Sequence, residues 1–163
     1  MKSIIKREVT QPVDTTKKET FKFVSFRIED ELLGVNILDV KEVTSLLDIT
    51  PIYHAPEEVM GYVNIRGEIH LVINLRYLLG YPKSIKGTSS KIIIFKPSIA
   101  EPFGIYVDTI GDVIEVEPSY IEPYSKSNLT HTKGDRLSEL VHGVCKLDQE
   151  LLVLLNSRKF LGK

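Results

Sequence analysis

His142 and Cys145 stand three residues apart, the residue types of a thiolate nucleophile and its imidazole base. Val141 to Leu147 reads as a strand, and a spacing of three sends the two side chains to opposite faces. The expectation is a buried, unreactive thiol. Glu57-Glu58 and Glu115 with Glu117 offer carboxylate pairs of the kind a glycosidase uses. Tryptophan is absent, so no sugar platform accompanies them, and they read as solvated faces. The other histidines, His54, His70 and His131, give neither H-x-x-x-H nor H-E-x-x-H spacing. A single cysteine excludes a disulfide framework and any multi-cysteine metal site. Glycines are isolated at turns, without a phosphate loop. No catalytic residue, metal or cofactor is expected. A small hydrolase using Cys145 or an acid pair is the rival from another class.

The elements that would hold these side chains are strands. The chain has 163 residues, with 18 Ile and 15 Val against 2 Ala, a balance that favours β structure over helical bundles. Its 21 basic and 22 acidic residues leave a net charge of −1, which provides no field for nucleic acid or an acidic membrane surface. No apolar run approaches the roughly 20 residues of a membrane helix, and the N-terminus lacks a signal-peptide core. The expected address is the cytoplasm.

Residues 1–20 are polar and read as a flexible tail. Residues 23–37 alternate about a Glu29-Asp30-Glu31 turn and predict a hairpin. Leu38 to Leu47 has no clear period. Pro56-Glu57-Glu58 predicts a helical turn ended by Gly61. Tyr62–Ile65, a turn at Arg66-Gly67-Glu68 and Ile69–Leu75 form strand, turn, strand; Ile69, Leu71 and Ile73 share one face, His70, Val72 and Asn74 the other. A short helix follows to Leu79, and residues 82–90 have linker composition. Lys91–Phe95, Phe103–Val107 and Val113–Val116 predict strands, the last after a Gly111-Asp112 turn. Residues 117–139 read as a long loop. Val141–Leu147 and Leu151–Leu155 predict a final pair of strands, followed by a helix capped by Asn156. About ten short strands predict an all-β sandwich or barrels, with lobes near 21–82 and 91–147.

Several stretches resemble landmarks of the CheW family of bacterial chemotaxis adaptors. V-S-F-R-I…L-L-G-V-N-I at 24–37 is similar to its first hairpin, and Val40-Lys41-Glu42-Val43 to its V-x-E-[IV] segment. PEEVMGYVNIRG at 56–67 resembles its most specific motif, a proline, a glycine five residues on, then N-[LI]-R-G. IHLVINLR at 69–76 and FGIYVDTIGDV at 103–113 follow in order. Leu71 departs from the pattern, since many relatives carry proline there, and the segment Ser125 to Arg136 matches nothing in it.

The resemblance implies an all-β fold of two five-stranded β-barrel subdomains on a shared hydrophobic core, with short helices, over residues 21–163. It implies a non-catalytic scaffold that bridges the regulatory domain of the histidine kinase CheA to the cytoplasmic tips of methyl-accepting chemotaxis receptors. A domain of a larger protein, CheV or the regulatory end of CheA, is the alternative. The receptor site would comprise Val40, Glu42, Gly61, Arg66 and Gly104. Arg66 and Glu42 would be neighbours beside a docking groove, Val40 an apolar contact, Gly61 room for an approaching helix, and Gly104 a residue across the groove. The kinase-contact residues are left unassigned.

Overall fold

The computed structural model describes residues 19–45, 48–83, 87–124 and 136–161. Residues 1–18 of the expected tail, His131 and most of the segment 125–136 lie outside them. Among the described residues no helix is long and apolar enough to cross a membrane.

Among the described residues eleven strands make two sheets. The first sheet runs β8 (Thr109–Val116), β1 (Phe21–Ile28), β2 (Glu31–Asn36), β11 (Leu151–Leu155), β10 (Val141–Lys146), β9 (Ile121–Glu122). The second runs β3 (Val40–Ser45), β6 (Lys91–Phe95), β7 (Phe103–Val107), β5 (Glu68–Asn74), β4 (Val59–Ile65). Two parallel contacts, β11 with β2 and β5 with β7, interrupt otherwise antiparallel pairing. The expected lobes therefore do not coincide with the sheets. β1 and β2 leave the early half to join the C-terminal strands, while β6 and β7 join β3–β5, because strand pairing is decided by nonlocal burial rather than by order in the chain.

Both sheets curl. β8 and β9 are opposite edges of the first, yet only five residue steps connect Val116 to Ile121. Those steps span at most about 18 Å, whereas five gaps of a flat sheet need about 24 Å. Each curled sheet encloses its own apolar filling: Phe23, Leu32, Ile114, Val116, Cys145, Leu147, Leu152 and Leu154 in the first, Val63, Ile65, Val72, Ile92, Ile94 and Tyr106 in the second. A third cluster lies between the sheets and draws on both, including Phe26, Leu33 and Val153 with Ile73, Ile93, Phe95 and Phe103. The strand period explains the division. Ile92 and Ile94 point into the second sheet while Ile93 and Phe95 point to the shared core; Leu152 and Leu154 against Val153 and Leu155 do the same in β11. Strands covered on both faces must be apolar throughout, which is why KIIIF and LLVLL are continuous runs.

Neither sheet closes into the expected barrel. The first has six strands, and its edges share no ladder among the described residues. β9 is two residues long between Pro118 and Pro123, which have no N–H to donate. The second has five strands, and across its open side the described residues make one isolated bridge, between Tyr62 of β4 and Thr50 in the segment after β3, whose two N–H groups donate to the opposite carbonyls at 2.8 and 2.9 Å. Pro51 stops that pairing from extending.

Some local expectations are also corrected. β3 forms where no period was legible, and β4 already begins at Val59, so Pro56–Glu58 is a turn and Gly61 lies inside a strand. β8 runs straight through Gly111-Asp112, opposite a bulge between Val24 and Phe26. The long loop contains a 3-10 turn at Pro118–Tyr120, β9 and the start of a short helix, α2 (Arg136–Leu140). Helix α1 (Leu75–Leu78) is capped by Asn74, and a 3-10 turn, Ser157–Lys159, by Asn156.

Candidate functional site

The second sheet's two edges are joined by side chains as well as by the Thr50 bridge. Arg66 and Gly67 form a two-residue hairpin turn between β4 and β5, both with positive φ, 50° and 85°. Turns of this twist favour Asn or Gly at the first position. Arg66 occupies it instead, and Asn64 Oδ1 steadies the turn by accepting from the Gly67 N–H at 2.9 Å. A bulky residue held in this region is worth explaining by its side chain. That side chain crosses to β3, where Arg66 Nη1 and Nη2 donate to Glu42 Oε2 and Oε1 at 2.6 and 3.2 Å. The fork is bidentate. Arg66 is 74% exposed and Glu42 23%. The Glu42 carboxyl is held below the usual carboxylate range, chiefly by the hydrogen bond from Arg66.

The seam continues on either side. Lys41 Nζ lies 3.9 Å from Glu68 Oε1, and the same oxygen is 3.2 Å from Nε2 of the buried His70. Glu42 is paired across β3 and β6 with Ile94, and His70 shares its face of β5 with Val72, both members of the second sheet's filling. The polar seam thus rims the end of that apolar interior.

The remaining site candidates are placed differently. Val40 is half-buried at the start of β3, opposite Phe95, and packs on the shared core. Gly61 does not leave room for a partner. Its φ is 143°, and a Cβ there would lie 2.2 Å from the Thr50 carbonyl oxygen, so the chain's own edge bridge fills the space. Gly104 lies in β7 between β5 and β6, and a Cβ would meet the Ile93 carbonyl oxygen and the Ile94 and Ile92 side chains at 2.8–2.9 Å. It packs the sheet's interior rather than lining an open groove.

The chemical alternatives find no support. Cys145 is fully buried, and burial pushes its thiol up to about 11; His142 is exposed on the same strand. Glu57 is ion-paired to Lys83, and Glu115 accepts from Thr20 at 3.4 Å. Among the described residues no three His, Cys, Asp or Glu side chains gather as a metal site requires.

A buried ionic junction escaped the sequence reading. Arg76 is wholly buried; its Nε donates to the Pro82 carbonyl at 2.7 Å, Nη1 to Asp108 Oδ2 at 2.7 Å, and Nη2 to Glu29. Only the sequence separations, 32 and 47 residues, hid it.

Residues 22–163 match the family model for the CheW-like domain. The chain belongs to that family. A scaffolding protein, TtCheW from Thermoanaerobacter tengcongensis, is similar in structure, with a TM-score of 0.74 and 30% identity over 90% of each chain. Chemotaxis protein CheW of Treponema pallidum is 28% identical over 147 residues, 88% of this chain and 84% of that one. That of Helicobacter pylori is 26% identical over 148 residues, 90% and 84%. By their names the two sequence relatives are chemotaxis proteins and the solved structure is a scaffolding protein. The Leu71 departure also has a local meaning: its N–H donates to the Pro102 carbonyl at 3.0 Å, a bond that proline could not make.

Proposed function

We propose that this chain is a cytoplasmic coupling protein of bacterial chemotaxis, linking the regulatory domain of CheA to the helical tips of chemoreceptors by contact alone. Family membership supports the scaffold role. The observation that carries the receptor site is Arg66, an exposed guanidinium kept on a positive-φ turn and aimed by Glu42. Val40, Glu42 and Arg66 form the docking edge, and a helix laid along it would meet a fixed charge beside an apolar margin. Gly61 and Gly104 act on this edge indirectly, through the bridge and the sheet that shape it. Titration calorimetry with a CheA regulatory domain and with a receptor-tip fragment tests the reading. Binding to both is expected, with Arg66→Glu losing only the receptor signal. Binding to neither folded partner overturns the coupling role, and an unchanged receptor signal in Arg66→Glu overturns the site.

A further inference from the structure

Four charges of alternating sign meet where β3 faces the Arg66-Gly67 turn. Arg66 reaches Glu42 through its bidentate fork, and one residue back along β3 the Lys41 ammonium lies 3.9 Å from Glu68 Oε1, just beyond the turn. Consecutive residues of a regular strand point to opposite faces. The β3–β6 ladder is irregular here: Val40 pairs with Phe95 and Glu42 with Ile94, which leaves Lys41 as the extra residue of a bulge. A bulge re-aims its side chains, so Lys41 and Glu42 both serve the same turn. The two ion pairs differ in what they can do. Glu42 sits low in the seam, whereas Lys41 and Glu68 are 45% and 50% exposed. An open pair at that distance adds little to stability, but both of its members are within reach of an approaching chain. They also act on the inner pair. The Glu42 carboxyl is held below its ordinary range first by the hydrogen bond from Arg66 and further by the charge of Lys41. Ile69, exposed beside Glu68, supplies apolar contact.

We propose that Lys41 and Glu68 are specificity determinants of the receptor site, selecting a helix that brings carboxylates to Arg66 and Lys41 and a basic residue to Glu68. The proposal rests on the receptor reading above. Arg66 alone would accept any acidic helix. The added pair supplies the repulsive element that discrimination needs: a uniformly acidic face meets Glu68, and a uniformly basic one meets two cations. Two cations and two carboxylates cancel, so the seam exerts little pull at a distance. It reads the order of charges at contact, where like-charged juxtaposition suppresses wrong partners and fixes register.

A charge swap tests it. Lys41→Glu, Glu68→Lys and the two together are titrated with a receptor-tip fragment at low and high salt, and their melting temperatures are compared. The double variant keeps an ion pair and the net charge but reverses the charge that each partner residue meets. All three are expected to bind about three- to tenfold more weakly than the wild type. The swap should be no better than the single changes, the loss should shrink at high salt, and melting should stay within about 2 °C. A swap that recovers wild-type affinity shows that the pair only bridges the edge, and overturns the proposal. So does a loss that salt leaves unchanged, or one that comes with a large drop in melting temperature. Where the swap does not fold, Lys41→Gln with Glu68→Gln takes its place, and undiminished affinity there overturns the proposal equally. Arg66→Glu in the same series separates the proposal from the reading beneath it. If Arg66→Glu loses the receptor signal and the swap keeps it, the determinants fail and the site stands. If Arg66→Glu binds normally and the swap does not, the Arg66 site fails while Lys41 and Glu68 keep their role. A wild type that does not bind the folded fragment overturns both.

Discussion

Arg76 and Asp108 meet at 2.7 Å with neither side chain open to solvent, one leaving the second sheet and the other at the crossing into the first. Glu29, at the β1–β2 turn with φ 54°, completes the junction: its N–H donates to Asp108 Oδ2 at 2.8 Å and its carboxylate receives Arg76. The guanidinium thus pins a strained turn of one sheet to the end of the other. Removing one member of a buried ion pair strands the remaining charge. Arg76→Met should cost about 3–5 kcal/mol in denaturant unfolding, and Arg76→Met with Asp108→Asn should recover part of it. A single variant as stable as the wild type would show the junction to be incidental.

Arg66 and Glu42 should behave oppositely. Both sit at the surface, so Arg66→Glu and Glu42→Arg should shift the melting temperature by no more than about 2 °C. Circular dichroism melts check this. A large drop would mean that the pair holds the sheet's edges together rather than presenting a docking charge.

The same pair sets a pH expectation. Arg66 depresses the Glu42 carboxyl below its unfolded value, so its contribution is present above that value and fades as pH falls through the depressed one. Carboxyl carbon NMR should find Glu42 still ionised where an ordinary glutamate, near about 4.3, is half protonated. Arg66→Gln should return it toward the ordinary range.

Gly61→Ala tests the edge bridge. The added methyl carbon would overlap the Thr50 carbonyl at a backbone angle that alanine avoids. A loss of about 3 kcal/mol is expected by chemical denaturation. Stability near the wild type would mean that the Thr50–Tyr62 bridge yields easily.

What could be read in advance follows from how each residue is covered. Ile92–Ile94 and Leu151–Leu155 announce themselves because both faces are buried. β3 does not, since it is a half-exposed edge with Lys41 and Glu42 among its valines. Gly111-Asp112 has the composition of a turn, but its glycine answers Ser25 across a bulge, a requirement set 86 residues away. Gly61 was legible as special and illegible as to why, because Thr50 arrives from outside its strand. The Arg66–Glu42 pair came into view only through the family resemblance. His70, by contrast, left a local trace: it shares a strand face with Val72 and Asn74, and all three are buried.

The second sheet is assembled from one contiguous stretch, residues 40–107, whereas the first waits for β11, which slides in parallel beside β2 near the end of the chain. During synthesis, Glu42 and Arg66 emerge long before the strand that completes the neighbouring sheet. Pairings of such sequence separation form slowly. A ribosome-bound chain therefore holds β2 as an open edge until β11, which starts 115 residues after the end of β2, has emerged, and β11 is the timer that completes the half-covered shared core.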